Sequence, residues 1–119
     1  MILKLNQIPD TLVGFVACDE VTKEDFEKVV IPAAAELVQR TGKLNYLLVV
    51  ANTVKKRGLG MGMNAVMPAL TRWNRAGIVT DVERMPWLTE LFRKIIPVEF
   101  RVFEHNDIKR AVKWLGEQP

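Results

Sequence analysis

Three basic residues, Lys55-Lys56-Arg57, run straight into Gly58-Leu59-Gly60-Met61-Gly62. Cations beside a glycine run are the parts of an anion site: bare backbone lets amides close round phosphate oxygens while the side chains supply charge. As a dinucleotide fingerprint the spacing is wrong. The third glycine comes one residue early, although Asp81 lies 19 residues after Gly62, close to where a ribose-binding acid belongs. The preceding apolar run also ends too soon for the tight turn that a fingerprint needs. What remains is a basic, glycine-rich loop, either simply solvated or contacting an anion or a partner through Lys55, Lys56, Arg57, Gly58 and Gly60. Near an anionic membrane each such cation is worth about 1 kcal/mol, too little without an apolar wedge beside it.

Two wedges follow in the chain. Met61, Met63 and Met67 cluster after the glycines, and methionine fits many apolar shapes. Trp87, Leu88, Leu91, Phe92, Ile95 and Ile96 recur at helical spacing, flanked by Arg84, Arg93 and Lys94, with Glu83 and Glu90 diluting the charge. Aromatic and basic residues on one helix suit an interface with lipid. A helix covering a sheet needs the same apolar face, so core packing competes with that reading. Some of Met63, Met67, Trp87, Leu91 and Phe92 are expected to border a cavity between these two segments, with Met61 counted in the same candidate site.

Other chemistry is thinly supplied. The chain has no serine, so serine nucleophiles and phosphoserine switches are excluded. One Cys and one His support neither a disulfide nor a cysteine-rich zinc site. Cys18 ends an apolar run and reads as buried and inert. His105 reads as structural or surface, and Asp81 as a helix cap or, at the end of a parallel strand, a ligand contact. No metal, cofactor or catalytic residue is expected. The net charge of +3 gives no case for nucleic acid. The N-terminus lacks the pattern of a signal peptide, and the longest apolar run, Tyr46 to Ala51, has six residues where a membrane span takes about 20. A cytoplasmic protein of one domain, residues 1–119, is the expectation.

The elements that must position these residues follow from periodicity and caps. Ile2–Leu5 and Leu12–Cys18 read as an antiparallel pair of strands. Thr22, with Asp25 three residues on, opens a helix that Gly42 ends. Pro32 inside it predicts a kink. Leu44–Ala51 reads as a strand buried on both faces. A loop from Asn52 to Gly60 leads to a second helix marked by Met63, Val66, Met67, Leu70 and Trp73. Gly77–Asp81 is the fourth strand, Trp87–Ile96 the third helix, Val98–Phe103 the fifth strand, and Ile108–Leu115 the last helix. Gly116 to Pro119 reads as a frayed end. The order β-β-α-β-α-β-α-β-α predicts an α/β fold: a five-stranded mixed sheet flanked by about four helices, with crossovers on both faces and the first strand antiparallel at an edge.

That order is the order of the STAS fold, and the residues go further. Val21 to Ala33, Gly42-Lys43-Leu44, Ile78-Val79-Thr80-Asp81, Trp87-Leu88, Glu99 to Phe103 and Ala111 to Leu115 together resemble the SpoIIAA-like family of STAS-like proteins over nearly the whole chain. The resemblance implies a small, soluble, non-enzymatic bacterial domain. Where sporulation members carry roughly Asp-Ser-Ser-Gly-Leu-Gly, with a phosphorylated serine, this chain has Lys55-Lys56-Arg57-Gly58-Leu59-Gly60. The switch is therefore not carried over. The family resemblance implies an apolar small molecule, a lipid or a peripheral membrane contact near the second and third helices. A protein partner engaged in the manner of anti-sigma-factor antagonists, or a second copy in a homodimer, are the rival expectations.

Overall fold

In the computed structural model, which describes residues 1–81 and 83–117, strands and helices follow one another in the expected order. β1 (Ile2–Lys4) pairs antiparallel with β2 (Val13–Ala17), and β3 (Leu44–Val50), β4 (Trp73–Val79) and β5 (Phe100–Phe103) add in parallel, giving the order β1-β2-β3-β4-β5. Helix α1 spans 23–41, α2 is Lys56–Val66, α3 is Pro86–Ile95 and α4 is Ile108–Gly116. Gln118 and Pro119, part of the expected frayed end, lie outside the described residues.

The crossovers do not lie on both faces. Each parallel strand sits beside the one before it in a steadily advancing order, and right-handed crossovers in such an order all fall on the same side. Helices α1, α2 and α3 therefore share one face, where Phe26, Leu37, Met63 and Phe92 form a single core with Phe15, Tyr46, Leu48 and Ile78 of the sheet. The other face carries α4, whose Ala111, Trp114 and Leu115 meet Leu47 and Val79. Alternation along β3 supplies both cores, with Tyr46 and Leu48 on one side and Leu47 on the other. This arrangement makes α2 and α3 neighbours.

Thr22 and Asp25 close a full capping box, each side chain bonding the other's amide at 3.1 and 2.9 Å. Gly42 ends α1 at φ 83°, a left-handed conformation that costs glycine little. Pro32 does not break the helix. The turn before it, Phe26–Val30, is a π-helix, with the Ile31 amide donating to the Phe26 carbonyl. A wider turn relieves the clash between the proline ring and the carbonyl four residues back.

The second helix ends sooner than its apolar spacing suggests. Pro68 lies in a 3-10 turn, Met67–Ala69, after which Leu70 is extended and Arg72 takes φ 64°. Trp73, expected in the helix, begins β4 instead, four residues before the expected start at Gly77. Its ring packs 5.5 Å from Tyr46, and its Nε1 donates to the Leu70 carbonyl at 3.1 Å.

Candidate functional site

The basic and glycine residues are not a loop. Lys55 is the extended residue before α2, its amide donating to the Asp19 carbonyl at 2.9 Å, and Lys56 and Arg57 already belong to the first turn. Gly58, Gly60 and Gly62 lie inside the helix. A Cβ on Gly58 would lie 2.0 Å from the Val21 carbonyl oxygen, and one on Gly62 would lie 2.5 Å from the Phe26 ring. Residues four apart share a helix face, so this pair lets α2 seat directly on the start of α1. The glycines are there for close packing, and the fingerprint reading falls with the loop. Gly60 points the opposite way, with nothing within 4 Å of its Cβ position.

On that open side, α2 and α3 frame a groove of about 630 Å³. Gly60 and Met61 line it from α2, Trp87 and Leu91 from α3. Met61 is 63% exposed, and Trp87 and Leu91 are half-buried. Lys56, Arg57 and Lys94 supply cations to its rim, with Asn64 and Glu90 as the other polar groups. The Lys56 ammonium sits 5.3 Å from the centroid of the Trp87 ring, a cation–π contact joining the starts of the two helices. Glu90 accepts from Arg93 at 2.9 Å, which offsets its charge. Among the described residues Lys56, Arg57 and Lys94 have no carboxylate within ion-pair distance. The groove is therefore apolar along its length and cationic at its rim.

Of the residues singled out from sequence, Lys56, Arg57, Gly60, Met61, Trp87 and Leu91 come together here. Met63, Met67 and Phe92 do not. They have no exposed surface and belong to the core under the groove, because each lies on the sheet-facing side of its segment. Lys55 and Gly58 also stand apart, one as the residue flanking α2 and the other against Val21. Glu90 and Lys94, read from sequence only as charges flanking the third helix, also line the groove, and Asn64 was missed. The helical stripe that holds them, 56-57-60-61-64 on α2 and 87-90-91-94 on α3, was visible once 56–60 is read as helix.

The remaining candidates have ordinary roles. His105 Nε2 donates to the Val50 carbonyl at 3.0 Å. Asp81 does not cap α3 directly; it holds the preceding turn through the Arg84 and Met85 amides. Cys18 is half-buried rather than buried. Among the described residues no group of three metal-ligating side chains is present, and no helix is long and apolar enough to cross a membrane. Among the described residues the buried Tyr46 hydroxyl has no hydrogen-bond partner, and burial pushes its pKa far above the usual phenol range.

The family model described as SpoIIAA-like fits residues 12–116, which takes in every element after β1. No curated protein matches the chain.

Proposed function

The chain belongs to the SpoIIAA-like family, and on that premise we propose that it is a non-catalytic STAS-type module that binds an apolar or amphipathic ligand in the groove between α2 and α3. One observation carries this reading: a groove of about 630 Å³ with Trp87, Leu91 and Met61 along it and a few polar groups at its rim. Small-molecule sites are of this size and kind, apolar surfaces with a small number of placed polar groups. The positions that sporulation relatives use for phosphorylation are basic here, so binding needs no covalent switch.

A second reading, contact with an anionic membrane, is supported by the 63% exposure of Met61 beside Lys56 and Arg57. The two readings separate in one pair of experiments. The neutral dye N-phenyl-1-naphthylamine should brighten saturably with the wild type and not with Gly60→Trp, which fills the groove at a position with free space. Co-sedimentation with phosphatidylglycerol vesicles that falls with salt, and is lost when Lys55, Lys56 and Arg57 become Gln, would favour the membrane. Failure of both leaves a protein partner as the explanation of the exposed helix pair.

A further inference from the structure

We infer that the groove selects a single-chain amphiphile with an anionic head, the head drawing Lys56 off the Trp87 ring and the tail taking its place there. This deepens the proposed function and rests on the groove being the binding site.

The charge balance points to the sign of the head. Three cations, Lys56, Arg57 and Lys94, meet one carboxylate, Glu90, which Arg93 already engages at 2.9 Å. Among the described residues the ring contact at 5.3 Å is the one interaction seen for the Lys56 ammonium, and an exposed cation–π contact is weaker than a charge-assisted hydrogen bond to an anion. An anionic head therefore wins Lys56. The ring it vacates is apolar and continues into Leu91 one turn along α3, facing Met61 and the bare backbone of Gly60. The nine residues of α2 from Lys56 to Asn64 give the strip a length of about 12 Å, room for one extended chain laid along it. A neutral or cationic head leaves Lys56 on the ring, and the tail then covers less apolar surface.

The test uses three probes with one tail: decanoate, decanol and decyltrimethylammonium, each below its micelle concentration, at a pH where decanoate is ionised. Binding is read from the indole Nε1–H resonance of Trp87. Decanoate should bind about tenfold tighter than decanol, with decyltrimethylammonium weakest. Lys56→Gln should remove most of that preference while decanol still binds, and its melting temperature shows that it folds. Equal affinity for all three heads, or a preference that survives Lys56→Gln, would overturn the inference but leave the groove as a site. If none of the probes moves Trp87, or Gly60→Trp binds them as well as the wild type, the groove reading fails too. Binding to phosphatidylglycerol vesicles without binding of decanoate would overturn the single-chain assignment in favour of a bilayer surface.

Discussion

Gly58 meets Val21 backbone to backbone: a methyl group on Gly58 would lie 2.0 Å from the Val21 carbonyl oxygen. No side-chain rotation relieves such a contact, so Gly58→Ala must push α2 away from α1. Overpacking of this kind costs about 1–3 kcal/mol, and the upper end is expected here because both partners are backbone. Gly62→Ala meets the buried Phe26 ring and should also destabilise. Gly60→Ala, in open space, should stabilise by about 1 kcal/mol through helix propensity. Urea unfolding of the three variants checks the order; a stabilising Gly58→Ala would contradict the packing.

Tyr46 packs its ring between Phe15 and Trp73, each 5.5 Å away, but its hydroxyl is buried without a partner. A polar atom left unsatisfied in a core costs about 1–3 kcal/mol. Tyr46→Phe keeps the ring and removes that atom, so it should stabilise the fold by about 1 kcal/mol. A melting temperature below that of the wild type would show that the hydroxyl has a partner in solution.

The two helix starts differ in a way that stability measurements can read. Thr22 caps α1 through its hydroxyl, and Thr22→Ala should cost about 1 kcal/mol. The Lys55 side chain caps nothing, although its backbone is extended as a cap requires, and the first turn of α2 has no acidic residue. Lys55→Ser should therefore stabilise by about 1 kcal/mol, by supplying a hydroxyl to the free amides and removing a cation from the positive end of the helix. Urea midpoints of both variants decide it, and a Lys55→Ser protein no more stable than the wild type would contradict the uncapped geometry.

Much of the fold was legible because local chemistry and tertiary packing agree. Thr22, Asp25 and Gly42 set the ends of α1, and the run from Leu44 set β3. Where they disagree, the sequence misleads. Three glycines within five residues read as a loop, since nothing local shows that two of them must pass Val21 and Phe26. Asn74 and Arg75 hide the start of β4; only the sheet reveals that Asn74 bonds Asn45 at 2.8 Å and that Arg75 lies 4.8 Å from the Trp114 ring. The site divided for the same reason. Trp87 and Leu91 on α3, like Met61 on α2, sit at its opening, while Phe92, Met63 and Met67 turn to the sheet, and apolar spacing alone does not say which edge of a stripe a second helix leaves uncovered.

Asp25 gives a pH signature. The Thr22 amide bonded to its carboxylate holds its pKa below the ordinary value of 3.8. A carboxyl whose pKa is depressed by folding contributes stability above its unfolded pKa and loses it as pH falls through the folded one. The advantage of wild type over Asp25→Asn in urea unfolding should be full at about pH 6 and shrink below about pH 4. An advantage that stays constant with pH would show that the carboxylate is not the source.

The location of binding is the claim on which the rest depends, and an amide chemical-shift map with decanol tests it most directly. A neutral probe tests the site apart from the charge of any head. The account predicts shifts at Lys56, Gly60, Asn64, Trp87, Leu91 and Lys94, and none on the opposite face, where Leu5, Ile8 and Val112 line a smaller groove of about 310 Å³. Shifts confined to that second groove, or no saturable shifts between α2 and α3, would contradict it.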